Sequence, residues 1–235
     1  MNPDVVYSVA DFKAYAQAKI DDILQRGRLP ILAGGTGFWL KAVIDDLDLS
    51  ETPANVDLRA ELETKTLGDL FARYKHLDPS GAQVIDRKNK RRLVRAIEVS
   101  EVTGVPFSEH RSTSNSPYDV LQIGLHVERE VLKERANARV DEMIGRGLVD
   151  EVRGLKQRYG CGIESMTGIG YRQICAFLDG ETSLKSAIED VKSDTRKYSK
   201  RQMTWFKRDE RIEWIHEASD AFPLAQTFLT KTPAE

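Results

Sequence analysis

Two basic segments of the chain carry the side chains best suited to bind a polyanion. The first is DRKNKRRLVR at 86–95, in which six cations accompany a single acid. On a helix, Arg91, Arg92 and Arg95 are separated by three and four residues, so they share a face that could follow a phosphate backbone. A solvated basic face has the same composition and remains the alternative.

The second basic segment, TRKYSKRQMTWFKR at 195–208, places Tyr198, Trp205 and Phe206 among its cations. Cations that bind phosphates and flat rings that stack on unpaired bases are the combination used to recognise single-stranded RNA. An amphipathic helix with its aromatic rings in the protein core would give the same pattern. Together the two segments favour a composite RNA-binding surface.

Two glycine-rich segments could bring backbone amides close to a phosphate. TGIGYRQ at 167–173 stands just before a predicted helix, and GGT at 34–36 follows a short apolar run. Amides at a helix N-terminus bind anions, and glycine permits a close approach. A tight turn has the same composition, so both segments also fit a purely structural role.

Arg135 and Arg139 lie one helical turn apart in LKERANARVDEMI, so both side chains could reach one anion. The alternative is an intrahelical ion pair with Glu134, Asp141 or Glu142. Spacing alone does not decide between the two.

The N-terminal part of the chain has an α/β pattern. Ser8 and Asp11 indicate a helix start, and apolar residues then recur at helical spacing until Gly27. We expect a buried strand at Leu29–Ala33, a glycine turn, and a second helix from Phe38 to Asp46.

The middle of the chain predicts a helical insertion at 48–118, with helices at 56–65, 67–76 and 89–103 and a serine-rich linker at 112–117. A strand at 120–127 should return the chain to the core. The remaining predicted elements are helices at 128–145, 148–159 and 171–178, a long helix capped by Thr182 and ending near Arg208, and a strand at 212–216. Residues 1–47 and 119–235 would then form one α/β core.

Composition excludes several classes of protein. The chain has 35 Lys and Arg against 37 Asp and Glu, so any affinity for RNA must come from local patches. No signal peptide and no apolar run of membrane-spanning length is present, which predicts a cytoplasmic protein with no membrane partner. Cys161 and Cys175 form no metal-binding or disulfide pattern, so we predict two buried free thiols and no zinc site.

Several ordered motifs resemble those of bacterial tRNA dimethylallyltransferases, the IPP transferase family. They are ILAGGTGFWLKA, LDP with NKRRLVRAIEVSEVTGVP, LHVEREVLKERANARVDEMIGRGLVDEV, MTGIGYRQ and KRQMTWF. The resemblance implies transfer of a dimethylallyl group from dimethylallyl pyrophosphate to N6 of the adenine 3′ to the anticodon, position 37. It also implies an α/β core similar to P-loop nucleotide-binding folds and a helical insertion that grips the anticodon stem-loop. Separately from the resemblance, we expect a monomer.

The resemblance also assigns roles to residues. Thr36 matches the reaction channel near the adenine, and Arg135, with Arg139, matches the pyrophosphate-binding position, so Thr36 and Arg135 are the expected catalytic residues. The family's tRNA-contacting segments match Arg59; Arg91, Arg92, Leu93, Val94 and Arg95; Thr167, Gly168, Ile169, Gly170, Tyr171 and Arg172; and Lys200, Arg201, Gln202, Met203, Thr204, Trp205, Phe206 and Lys207.

The sequence departs from the family pattern at one point. The family has a GxTxxGK loop followed by Ser or Thr, which cradles pyrophosphate and helps to hold Mg²⁺, and an Asp general base after it. Neither is found in this sequence, so Mg²⁺ is expected from the resemblance while no metal-ligating residue is assigned. We therefore expect an N-terminally truncated, incomplete core representing the C-terminal part of the enzyme. The alternative is a tRNA-binding remnant without activity.

Overall fold

The computed structural model describes residues 1–49, 52, 54–110 and 116–230. They form two compact units. One consists of residues 1–7, 35–37 and the chain from Val120 onwards, and the other of residues 8–34 and 38–119. The predicted insertion at 48–118 lies in the second unit together with the two N-terminal helices, and the predicted linker at 112–117 lies largely outside the described residues.

The second unit begins with helix α1 (Val9–Gln25) and continues with helix α2 (Gly37–Ile44), whose first residue, Gly37, is assigned to the first unit. α1 starts as predicted, because the hydroxyl of Ser8 accepts a hydrogen bond from the Asp11 amide while the Asp11 carboxylate accepts one from the Ser8 amide. The ring of Phe12 packs against Trp39 with 4.8 Å between the ring centroids.

The rest of the second unit is a helical bundle of α3 (Val56–Glu63), α4 (Leu67–Leu77) and α5 (Lys90–Thr103). Its core is built around Leu62, Leu70, Tyr74, Leu93 and Ile97, all of which are fully buried or nearly so. These helices begin at the side-chain caps Asn55, Thr66 and Asn89. The three helices predicted for this region are confirmed.

The first unit contains a parallel pair of strands, β1 (Gln122–Leu125) and β2 (Ile212–Ile215), with Gln122 opposite Ile212 and Leu125 opposite Ile215. Between them run α6 (Arg129–Gly145), α7 (Leu148–Tyr159), α8 (Tyr171–Leu178) and α9 (Leu184–Phe206). The side chain that caps α9 is that of Ser183 rather than the predicted Thr182. A final helix, α10 (Ala221–Thr230), was not anticipated.

Helices α7, α8 and α9 enclose the core of the first unit, in which Leu148, Val152, Met166, Ile174 and Ala187 are buried. The parallel strands and the helices between them confirm an α/β class. None of the helices in the described parts of the chain is long and apolar enough to cross a membrane.

The strand predicted at Leu29–Ala33 is not formed. The segment has no regular secondary structure, and Ile31 is 83% exposed. An apolar run becomes a strand only when a neighbouring strand supplies its hydrogen bonds. The sheet of the described residues consists of β1 and β2 alone.

The prediction of two free thiols is also wrong, because Cys161 and Cys175 form a disulfide. Gly160 ends α7 with a φ of 73°, and the chain then turns back so that Cys161 meets α8. The two Cα atoms lie 6.2 Å apart, within the range that a disulfide bridges. The turn between α7 and α8 creates this proximity, which the spacing of the two cysteines in the sequence does not indicate.

Candidate functional site

The turn Gly35–Thr36–Gly37 lies against the last two turns of α9. Gln202 donates a hydrogen bond from Nε2 to the carbonyl oxygen of Gly35 at 2.8 Å. A Cβ added to Gly37 would lie 2.1 Å from Cδ1 of Trp205, so the indole touches the glycine backbone directly. Thr36 is exposed between these two contacts, beside the second basic segment.

The same end of α9 presents a shallow pocket of about 220 Å³. Four polar or cationic side chains and one ring line it: Lys200, Arg201, Thr204, Trp205 and Arg208. Trp205 is 42% exposed, and Tyr198 lies under the Arg201 guanidinium, 5.7 Å from it. Because the rings of Tyr198 and Trp205 reach the surface, the alternative that places the aromatics in the core does not apply to these two, although Phe206 is half-buried. A base could stack on such rings while the cations bind its phosphates.

Other members of the second basic segment have different surroundings. Met203 and Phe206 are half-buried, whereas Lys207 is exposed. Arg208, the last cation of the second basic segment, also lines the pocket, although the family resemblance did not assign it a tRNA contact.

Arg135 and Arg139 project into solvent from α6. The intrahelical alternative is not found among the described residues, because Glu142 pairs with Arg146 at 2.7 Å and Asp141 pairs with Lys192 of α9 at 2.7 Å. Two exposed guanidinium groups one turn apart, without an ion-pair partner in the described structure, have the chemistry and spacing to bind one anion.

The packing of α6 on α9 places Arg135 near the level of the pocket. Asn137 accepts a hydrogen bond from Arg196 at 2.7 Å, and Asp141 binds Lys192. The helices are therefore antiparallel, and this register sets Arg135 opposite Tyr198, roughly 6 Å along the axis from Gln202 at 1.5 Å per residue. The predicted pyrophosphate arginine and the Thr36 turn thus belong to one end of the α6–α9 pair.

The segment TGIGYRQ forms a turn in which Gly170, Arg172 and Gln173 already hydrogen-bond to other residues of the protein. Gly170 has a φ of 98°, and its amide donates to Oε1 of Gln173 at 2.9 Å. Arg172 and Gln173 both bind the Asp194 carboxylate, at 2.7 and 2.9 Å. Among the predicted tRNA contacts, Thr167 and Gly168 are exposed, whereas Ile169 is half-buried and Gly170 is buried.

Tyr171 has a hydroxyl that donates to the carboxylate of Glu151 on α7. This hydrogen bond, reinforced by burial and by the negative charge of Glu151, raises the pKa of Tyr171 to about 12. The phenol therefore stays protonated and ties α8 to α7 at neutral pH.

The first basic segment divides into surface and core residues. Arg91 and Arg92 are exposed and, within the described part of the chain, form no ion pair. Leu93 and Val94 are 0% and 5% exposed, so their side chains pack in the helical core and are not accessible to an RNA. Of these four residues, the two arginines are the ones that present charge to solvent.

Arg59 and Arg95 bind the carboxylate of Glu98, whose side chain is fully buried. Glu98 also accepts a hydrogen bond from the Asn55 amide at 2.8 Å. Burial by itself would raise the pKa of Glu98, but the hydrogen bonds from Arg59, Arg95 and Asn55 outweigh it and lower the pKa below its ordinary value. Arg59 therefore holds α3 to α5, whereas Arg95 pairs with Glu98 within α5, and the sequence indicated neither role.

A magnesium ion is implied by the family resemblance, but the residues present do not fit one. No group of three or more His, Cys, Asp or Glu side chains is arranged for a metal in the described ranges. The sequence also lacks the loop hydroxyl that would assist. We derive no chemical step through a metal.

The protein is of the α/β class. Its first unit holds the exposed Thr36, the exposed Arg135 and Arg139 of α6 and the basic, aromatic C-terminal end of α9. Comparison with known proteins identifies the class further. The chain belongs to the IPP transferase family, whose sequence model matches residues 1–209.

Curated relatives agree with this membership. The chain is 43% identical to a tRNA dimethylallyltransferase of Acetivibrio thermocellus over 225 residues, which covers 92% of this chain and 72% of that protein. It is 40% identical to a tRNA dimethylallyltransferase of Oceanobacillus iheyensis, covering 91% of this chain and 70% of the relative.

Solved structures resemble the fold as well. A tRNA isopentenylpyrophosphate transferase from Bacillus halodurans superimposes with a TM-score of 0.67 at 36% identity, covering 97% of this chain and 75% of that one. A eukaryotic dimethylallyltransferase acting on tRNA gives a TM-score of 0.80 at 25% identity, covering all of this chain and 65% of that one.

Proposed function

We propose that this chain transfers a dimethylallyl group from dimethylallyl pyrophosphate to N6 of adenine 37 in tRNA. The observation that carries the proposal is the position of Thr36, which is held between Gln202 and Trp205 at the basic, aromatic end of α9. Membership of the IPP transferase family and the names of its relatives support the same reaction. The chain spans 72% and 70% of the length of the two curated relatives.

The reaction forms one C–N bond and breaks one C–O bond and one N–H bond. The N6 amine of the adenine attacks the allylic carbon, the bond from that carbon to the pyrophosphate oxygen breaks and pyrophosphate leaves with the electron pair, and the alkylated nitrogen then loses a proton to solvent. The adenine must leave its base stack to meet the donor, and an exposed ring such as Trp205 offers a surface for nucleotides that do so. We assign to the Thr36 hydroxyl the role of accepting a hydrogen bond from the N6 amine and orienting it.

The departing pyrophosphate gains negative charge as the bond breaks. Arg135 and Arg139 are exposed on α6 and are not neutralised by an acidic partner in the described residues. We assign Arg135, which is level with Tyr198, to this charge, with Arg139 contributing from the next turn. No GxTxxGK loop occurs in the sequence, and we assign the donor-binding charge to these guanidinium groups.

The tRNA would bind through two surfaces, each described in its own unit. Arg91 and Arg92 offer cations on α5, and Lys200, Arg201 and Arg208 line the pocket beside Trp205 at the C-terminal end of α9. We assign both surfaces to the anticodon stem-loop, since cations and exposed rings suit its phosphates and unpaired bases. Arg59 and Arg95 would support this surface indirectly by fixing α5.

The test is a prenyl-transfer assay with the purified chain, dimethylallyl pyrophosphate, magnesium and an unmodified anticodon stem-loop, read out by mass spectrometry of the RNA. A stem-loop with guanine at position 37 is the matched control. A gain of one dimethylallyl group on the adenine RNA alone supports the proposal. Salt-sensitive binding of both RNAs without modification would instead show an RNA-binding chain that lacks transferase activity.

A further inference from the structure

Three glycines surround Thr36, and they differ in what they contact. A Cβ on Gly35 would lie 2.2 Å from Nε2 of Gln202, and one on Gly37 would lie 2.1 and 2.2 Å from Cδ1 and Nε1 of Trp205. A Cβ on Gly34 would meet its nearest neighbour at 3.8 Å, an ordinary contact. None of the three has a positive φ, so Gly35 and Gly37 are required by the approach of α9 and not by an unusual backbone conformation.

Gln202 and Trp205 approach the turn from one face of α9, because residues three apart on a helix are neighbours. Gln202 holds the Gly35 carbonyl through a directed hydrogen bond of 2.8 Å, and Trp205 blocks movement of Gly37 through steric contact. The turn has one anchor on each side of Thr36, so a shift of the last turns of α9 would move Thr36 with it.

Trp205 also belongs to the basic pocket. One edge of its indole rests on Gly37, while the side chain remains 42% exposed among Lys200, Arg201, Thr204 and Arg208. A nucleotide that stacked on the exposed part would therefore press on a ring already in contact with the turn.

We propose that Gln202 and Trp205 are positioning residues that set the location of Thr36, and that Trp205 links RNA bound on α9 to this turn. The inference rests on the proposed function for its catalytic consequence. Its structural content, the dependence of the turn on these two side chains, can be measured without activity.

The three glycines provide matched variants. Gly37→Ala introduces a methyl group against the rigid indole, and Gly35→Ala displaces the flexible Gln202 amide and breaks its hydrogen bond. The methyl group of Gly34→Ala would have its nearest neighbour at 3.8 Å, an ordinary van der Waals distance. We expect the strongest effect from Gly37→Ala, an intermediate effect from Gly35→Ala, and none from Gly34→Ala. In a Trp205→Ala background the clash is removed, so Gly37→Ala should have no further effect.

The first readout is the indole N–H resonance of Trp205 in ¹⁵N-labelled full chain, assigned by its loss in Trp205→Phe. Gly37→Ala should shift this resonance and Gly34→Ala should leave it in place. Addition of the unmodified stem-loop should shift the indole and the Thr36 amide together. The proposal would be overturned if Gly37→Ala left the indole resonance unshifted. It would also be overturned if RNA shifted the indole resonance but not the Thr36 amide resonance.

The second readout is kinetic. Gly37→Ala should lower kcat for prenyl transfer by about 10²-fold, the scale of an ångström misplacement, while the Kd for the stem-loop stays within a factor of about two. Equal loss of kcat in Gly34→Ala would contradict positioning by α9. If the unaltered chain transfers no prenyl group, the proposed function fails, and the resonance measurements still decide the positioning role.

Discussion

Arg59 binds both carboxylate oxygens of Glu98, with Nε 2.7 Å from Oε1 and Nη2 2.9 Å from Oε2. Glu98 is fully buried on α5, whereas 44% of the Arg59 side chain remains exposed on α3. The pair joins two helices of the bundle and is completed by Arg95 at 2.6 Å. An arginine predicted to contact RNA is thus engaged by a buried carboxylate.

Glu98→Ala is expected to lower the free energy of unfolding by about 3 kcal/mol, because it removes the shared acceptor of a buried network. The matched control is Glu101→Ala, one turn further along α5, which loses a more exposed pair with Arg73 and should cost about 1 kcal/mol or less. Urea unfolding measures both. If the two variants lost the same free energy of unfolding, the burial of Glu98 would add nothing to the stability that its ion pairs provide.

Arg92→Ala should weaken binding of the anticodon stem-loop and leave thermal stability unchanged, because Arg92 is exposed and forms no ion pair in the described structure. We expect the slope of log K against log salt to decrease in magnitude by about 0.7 to 1, the value for one phosphate contact. Lys75→Ala, an exposed cation on α4, is the charge control. An unchanged slope in Arg92→Ala would mean that Arg92 touches no phosphate.

Arg135→Ala should lower kcat by about 10²-fold while the Kd for the stem-loop changes little, since its charge is needed as pyrophosphate leaves. Arg146→Ala removes another exposed arginine from the end of α6, one that is paired with Glu142, and should leave kcat unchanged. Steady-state kinetics and a separate binding titration distinguish the two effects. A parallel loss of RNA affinity in Arg135→Ala would assign this residue to the tRNA instead.

Asp78 predicts how stability depends on pH. Its carboxylate is 1% exposed and accepts hydrogen bonds from the Tyr74 hydroxyl, the Gly81 amide and both the amide and hydroxyl of Ser108. Burial alone would raise the pKa of Asp78, but these hydrogen bonds outweigh it and lower the pKa. The pKa of Glu98 is lowered for a similar reason.

A group with a lowered pKa in the folded state stabilises the protein fully above its unfolded value and loses that contribution as the pH falls through the folded value. We expect the midpoint of thermal unfolding to be steady near neutral pH and to fall below the ordinary carboxylate values of 4.5 and 3.8. Asp78→Asn should be less stable at neutral pH and show a weaker acid dependence. An acid profile identical to that of the unaltered chain would contradict this account.

The Cys161–Cys175 disulfide closes a short loop, with a sequence separation of 14. Reduction should lower the free energy of unfolding by about 3 kcal/mol, the chain-entropy value for a loop of this size. Urea unfolding with and without a reductant tests this. The Cys161→Ser, Cys175→Ser double variant should have the same free energy of unfolding whether or not the reductant is present. Two free thiols in the unreduced, denatured chain would show that the disulfide does not form.

The sequence by itself determined the local elements. Ser8 with Asp11 begins α1, Asn89 caps α5, and the bounds of α7 and α8 agree with their predicted residues, because caps and helical periodicity act over a few neighbouring positions. Ordered motifs also identified the family, which the comparisons confirm.

Tertiary structure decided everything that depends on a distant partner. Residues 29–33 have the composition of a strand but do not pair with another strand. Cys161 meets Cys175 only because the chain turns between α7 and α8, and Arg59 binds Glu98 on another helix of the bundle. The contact of Gly37 with Trp205 is of the same kind. Residue types and spacing specify which side chains are available, but burial, ion pairing and close approach arise only when the chain brings remote segments together.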